Sequence, residues 1–217
     1  MKWINEFSNS QIPYYIYKLN KGDTIIYNCN SDYNKSLVIL NGIIYLIKIF
    51  TNQEIIPLAI LNTNHIINLN PFRINQQNYY KIIALEKTYI ISFNINKLKY
   101  NSNTYKSLIL NIMLSYELTI KQYEIMNCIL MQKHIKDRLI QLILFLSLNF
   151  GIIHQKQIII PFQLSQKNLG TIVGSNKITI NKIINKLSQA MLIRYSLKKK
   201  SLLKISLNST LNIVTEV

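Results

Sequence analysis

Apolar and polar positions change their period twice along this chain. Over the first hundred residues the apolar side chains come in short runs cut by turn formers. Leu37–Leu40 runs into Asn41-Gly42 and then Ile43–Phe50. Asn-Gly between two apolar runs predicts a hairpin, because both residues tolerate positive φ. Thr51-Asn52-Gln53-Glu54 predicts a second turn before Ile55–Leu61. Tyr79–Leu85 and Thr88–Phe93 follow, with Glu86-Lys87 between them. Many short strands with tight turns predict a barrel or roll. Polar residues from Lys97 to about Tyr105 end the pattern.

From about Asn103 to Lys133 the period becomes helical. Ile109, Met113, Tyr116, Ile120, Tyr123, Asn127, Leu130 and His134 fall at alternating steps of four and three. That spacing predicts a coiled-coil seam with Asn127 as an internal polar member, a residue that fixes a two-stranded register. An amphipathic helix packed on its own domain has the same pattern, and spacing alone leaves both open. Leu139–Leu148 reads as a buried helix. After Phe150-Gly151, Ile158–Pro161 predicts a short strand. Ile193–Leu197 and Leu202–Leu207 flank Lys198, Lys199 and Lys200 as a hairpin.

Between them lies Leu164–Leu187, LSQKNLGTIVGSNKITINKIINKL, which predicts two short helices around a tight turn. Gly170 leaves room for the second helix to cross closely, and Gly174 supplies the positive φ of a sharp turn. Leu169, Val173, Ile180 and Ile183 are the expected core of the pair. Ser175, Asn176, Lys177, Thr179 and Lys182 are the expected outer face of the second helix. Such a face suits a major groove. An αα-hairpin with a solvated charged face is the plainer alternative.

Charge favours the groove. The chain carries 25 Lys+Arg against 9 Asp+Glu, a net of +16. Residues 1–130 hold 12 basic and 7 acidic residues, whereas 131–217 hold 13 basic residues and only Asp137 and Glu216. A basic half joined to a near-neutral half implies a polyanionic partner. The excess is partly compositional. Ile, Asn and Lys supply 42, 27 and 22 of the 217 residues, and all three have A- and T-rich codons. An organelle or endosymbiont genome is one source of such bias.

Other chemistry is sparse. No run approaches the roughly 18 apolar residues of a membrane span, and MKWINEFSNS has neither signal nor transit character. The protein is expected to act where it is made, without a membrane. Cys29 and Cys128 lack CxxC spacing, and His65, His134 and His154 lack metal-ligand spacing, so neither metal nor cofactor is expected. There is no nucleophile–base pair and no Gly-rich phosphate loop, which argues against an enzyme.

The order of elements and four segments carry a resemblance. These are Asp137-Arg138 through Phe150-Gly151, Ile158–Ile160, the LSQKNLGTIVGSNKITINKIINKL run, and Met191–Lys200. They resemble the Crp/Fnr regulators, and within them the NtcA-type nitrogen regulators of cyanobacteria and plastids. Leu40–Leu46 and Tyr79–Ala84 extend the likeness more weakly. The resemblance implies an α+β fold: a cyclic-nucleotide-binding-like β-roll (1–102), a long dimerisation helix (103–133) and a winged helix-turn-helix (134–217). It implies a homodimeric transcription regulator binding palindromic double-stranded DNA, with half-sites about 34 Å apart, and RNA polymerase as partner. A DNA binder without effector control, constitutive or architectural, is the other reading. The implied compartment is the plastid stroma, or a bacterial cytoplasm.

By position, the resemblance assigns DNA contacts to Ser165, Gln166, Ser175, Asn176, Lys177, Ile178, Thr179, Lys182, Lys198, Lys199 and Lys200. Lys177 and Lys182 stand where the family has arginines. Lysine lacks arginine's bidentate fork to guanine, so base discrimination is expected to weaken. The effector site falls on His65, Ile66, Ile67, Asn68, Asn78, Thr119 and Glu124. Nitrogen regulators sense 2-oxoglutarate, a dicarboxylate. Asn78 and Thr119 replace its two arginines, Glu124 adds negative charge, and the site is expected to be degraded unless Arg73 or Lys81 substitutes.

Overall fold

The computed structural model describes residues 2–28, 35–68, 78–98, 105–154, 157–190, 193–195 and 203–206. The chain forms two compact units, Met1–Met126 and Asn127–Val217.

The first unit begins with a helix, α1 (Lys2–Asn9), followed by β1 (Tyr14–Leu19), β2 (Thr24–Asn28), β3 (Lys35–Asn41), β4 (Ile44–Ile49), β5 (Ile55–Leu61), β6 (Ile66–Asn68), β7 (Tyr79–Ala84) and β8 (Thr88–Asn94), then the long helix α2 (Lys106–Leu130), whose residues from Asn127 on belong to the second unit. The strands make two four-stranded antiparallel sheets, β1-β8-β3-β6 and β2-β7-β4-β5. Leu37, Ile39, Ile67 and Ile90 of one sheet meet Leu46, Ala59, Leu61 and Ile82 of the other in one apolar cluster. Their neighbours Val38, Ile66 and Ile91 point the other way, where Trp3 and Phe7 of α1 and Leu108 and Ile112 of α2 cover them. Strands covered on both faces read as unbroken apolar runs, which is why alternation is faint here.

The Asn41-Gly42 hairpin does not form. β3 pairs with β6 and β8, and β4 pairs with β5 and β7. The chain changes sheet at Gly42, whose φ is +99°. A Cβ there would overlap Thr88, because Leu85–Thr88 makes the matching corner: the Leu85 N–H donates to the Ile43 carbonyl at 2.9 Å. The Asn-Gly signal located a positive-φ corner, but the choice of partner strand was tertiary. The turn before β5 does form a hairpin, with β4 and β5 paired from Ile44↔Leu61 to Ile49↔Ile55 across a register shift between Leu46 and Ile47.

The predicted seam lies one residue off the buried stripe of α2. Leu108, Ile112, Ser115, Thr119, Met126 and Ile129 are buried, each immediately before a member of the predicted set. Tyr116 and Tyr123 rest on the apolar clusters of the β-roll, and the Tyr116 hydroxyl lies 3.2 Å from that of Ser36. Those two have partners within the chain. Met113 and Ile120 are 63% and 53% exposed. Asn127 is also exposed, while Ile109 and Leu130 are half-buried.

The second unit contains α3 (Ile135–Phe150), β9 (Ile152–His154), β10 (Gln157–Ile159), α4 (Gln166–Val173), α5 (Lys177–Gln189), β11 (Ile193–Tyr195) and β12 (Leu203–Ser206). Its sheet has the order β11-β12-β10-β9. β11 and β12 pair antiparallel, as the wing expectation requires. Lys198, Lys199 and Lys200 lie outside the described residues. Leu139, Leu142, Ile143, Phe145 and Leu146 bury one side of α3, and Phe150 meets Phe145 and Phe162 edge-on at 5.8 and 5.5 Å.

Candidate nucleic-acid interface

Local chemistry sets the two helices. Ser165 caps α4, its hydroxyl accepting from the Asn168 N–H at 3.1 Å. Asn176 caps α5, its side-chain oxygen accepting from the Thr179 N–H at 2.8 Å. Each cap satisfies one orphan donor of a first turn, worth about 1 kcal/mol. Between them Gly174 is left-handed, φ +69°, and the Ser175 N–H donates to the Gly170 carbonyl at 2.8 Å. A Cβ on Gly170 would sit 2.6 Å from the Ser175 carbonyl oxygen and 3.5 Å from Ile180. Gly170 therefore makes room chiefly for the turn, and only secondarily for α5.

Leu169, Val173 and Ile180 form the core of the pair, with Ile184 and Leu187. Ile183 is only half-buried. It is corrected to Ile184, because helical pitch from Ile180 selects the step of four.

Opposite that core, α5 presents Lys177, Ile178, Asn181, Lys182, Asn185, Lys186 and Gln189, all exposed. Ile178 is 68% exposed, an isolated apolar side chain on a polar surface. No acidic residue occurs in α4 or α5. This face can offer three ammonium groups to phosphates, and two asparagine side chains of the kind that reads adenine. Asn181, Asn185 and Lys186 extend the expected set. Their spacing of four with Lys177 and Lys182 is visible in the sequence.

Four of the expected contacts have roles or positions of their own in the structure. Gln166 is buried, and its amide donates to the Asn181 side-chain oxygen at 3.0 Å. It orients a surface residue instead of reaching out itself. Ser175 and Asn176 precede the helix, and the Asn176 side-chain oxygen is occupied as a cap. Thr179 is half-buried.

Of the expected effector residues, Thr119 meets the backbone of Ile66. Ile66 and Ile67 are buried on opposite sides of their strand, Asn68 is half-buried, and Asn78 is 8% exposed. Thr119 is 3% exposed. Its hydroxyl accepts from the Ile66 N–H at 3.1 Å and shares its one proton between the carbonyls of Ile66, at 2.8 Å, and Ser115, at 3.0 Å. Glu124 is exposed, so within the chain it adds no charge to the β-roll interior. His65 is buried and directs Nδ1 at the Asn62 carbonyl, 3.0 Å away. Its Nε2 has no partner, and burial holds its pKa below the usual histidine value. A cavity of about 150 Å³ in the β-roll is lined by Tyr17, Ile25, Tyr27, Lys35, Leu37 and Ser92, none of them in the expected set. Arg73 lies outside the described residues. Among the described residues no His/Cys/Asp/Glu group is placed to hold a metal ion, and no helix is long and apolar enough to cross a membrane.

No family model matches the chain. It is 30% identical over 200 residues to the HTH-type transcriptional regulator ycf28 of Porphyra purpurea, covering 91% of this chain and 81% of that protein. It is 22% identical to the global nitrogen regulator of Synechococcus elongatus, over 89% of this chain and 88% of that one. Among solved structures it is similar to CooA of Carboxydothermus hydrogenoformans, with a TM-score of 0.72 and 15% identity over 98% of this chain and 90% of that one. A Crp/Fnr-family regulator of Thermus thermophilus gives a TM-score of 0.68 at 16% identity, over 94% of this chain and 99% of that one. These neighbours share the fold, an N-terminal β-roll followed by a C-terminal helix-turn-helix. With its relatives regulators and not enzymes, and the ycf28 identity extending through both units, this chain belongs to the Crp/Fnr family of transcriptional regulators.

Proposed function

We propose that the protein works as a homodimer on palindromic promoter DNA in a plastid, with α5 in the major groove and RNA polymerase as its partner. The observation that carries this is the continuous exposed face of α5, with three lysines, two asparagines and no carboxylate. The exposed Met113 and Ile120 of α2 are the surface offered for self-association. The Porphyra relative supports a plastid setting. The proposed boundaries are a β-roll over 1–102, the dimerisation helix over 103–133 and the winged helix-turn-helix over 134–217. A second reading, DNA binding without effector control, is favoured by Thr119, whose hydroxyl is taken up by the backbone of Ile66.

The test is selection of binding sites from random duplexes, followed by titration at several salt concentrations. A two-fold-symmetric site bound about 10³-fold tighter than random DNA is the expected result. Lys177→Ala and Lys182→Ala should each weaken the selected site by about tenfold, the scale of 1–2 kcal/mol. Equal affinity for selected and random DNA would replace a sequence-specific regulator by an architectural binder.

A further inference from the structure

Arg138, in the first turn of α3, joins two parts of the second unit, reaching a carbonyl 35 residues away in sequence. Its Nε donates to the Gln132 carbonyl at 2.7 Å, and its Nη1 donates to the Val173 carbonyl at 3.3 Å. Gln132 follows the last turn of α2 and donates its side-chain Nε2 back to the Cys128 carbonyl at 3.3 Å. Val173 is the last residue of α4. The next residue is Gly174, where a Cβ would stand 3.4 Å from Nη1. Beyond it, Ser175 is bonded to Gly170, and Asn176 caps α5. One guanidinium thus connects the end of the long helix to the turn that launches α5.

The chemistry fits that task. The last carbonyls of a helix have no intrahelical donor, and a cation there also meets the negative end of the helix dipole. A planar fork with several fixed donors can hold two carbonyls at once, whereas an ammonium is a point donor. Arg138 is half-buried and has no carboxylate partner among the described residues. The Arg138 side chain is directed to two backbone carbonyls.

We infer that Arg138 is a positioning residue: it fastens the helix-turn-helix turn to the segment that follows α2 and so sets the orientation of α5 against that segment. This rests on α5 being the DNA-reading helix. The hydrogen-bonded path itself is tested without DNA.

The experiment compares wild type, Arg138→Gln and Arg138→Lys. Hydrogen exchange at the Ser175 amide should quicken by about tenfold or more in Arg138→Gln, the scale of one charge-assisted hydrogen bond. Affinity for a selected duplex should fall by about tenfold while random-duplex affinity and the salt slope stay near wild type, because no phosphate contact is lost. Arg138→Lys keeps the charge and should show the same split in smaller measure. It decides the matter if the glutamine variant does not fold. Unchanged Ser175 exchange in a folded variant would overturn the inference. So would an equal loss on both duplexes with the salt slope reduced by about one, which would make Arg138 a phosphate contact. If wild type selects no sequence, the reading of α5 fails, and the exchange measurement still decides the role of Arg138.

Discussion

Thr119 is buried and joined on both sides of its oxygen to the backbone of β6 and α2. With Asn78, also buried and uncharged, it stands where the family resemblance puts two cations. Burying a dicarboxylate against neutral groups is strongly unfavourable. Calorimetry with millimolar 2-oxoglutarate should therefore give no saturable heat. A dissociation constant below about 0.1 mM, roughly −5.5 kcal/mol, would refute this. His65 gives a pH test. Its folded-state pKa is depressed by burial, so the unfolded chain takes up protons first. Its contribution is complete above the unfolded value, about 6.5, and is lost as pH falls below it. Urea midpoints at pH 7.5 and 5.5 should differ more for wild type than for His65→Gln.

Among the elements, α2 decides most. Its period was legible in sequence because steps of four and three mark any helix with a buried side. The phase was not, because the chain bears apolar residues on both sides of this helix. Leu108, Ile112 and Met126 are buried, while Leu110, Met113 and Ile120 are exposed. The same composition follows from Ile-rich codon bias, which removes the polar contrast that phase depends on. Ile120→Glu separates folding from assembly. With Ile120 53% exposed, the variant should keep its helical circular dichroism and its melting behaviour at low concentration. It should sediment as a monomer at micromolar concentration, since two carboxylates would be buried in the pair. A variant that stayed dimeric would move the interface to another surface.

For the whole molecule, charge and topology were legible to different degrees. The basic excess of the second half is a sum over residues and needs no structure. Winged helix-turn-helix order was also legible, because Ser165, Gly174 and Asn176 act on their own neighbours through caps and a positive φ. The β-roll was legible only as a class. Strand pairing joins residues far apart, and Asn41-Gly42 predicts a reversal without naming which strand lies beyond it.

The sequence by itself determined the elements whose causes are local: the capped helices, the left-handed Gly174, the lysines of α5, and the basic character of the second unit. Only the tertiary structure decided what depends on distant partners. It placed β3 and β4 in different sheets, turned Thr119 rather than Ile120 onto the β-roll, buried Gln166 beneath Asn181, and brought Arg138 to the end of α4. Local preferences act over three or four residues of backbone. Burial and hydrogen-bond partners are settled by which surfaces meet, and most of the free energy that holds the fold together comes from that meeting.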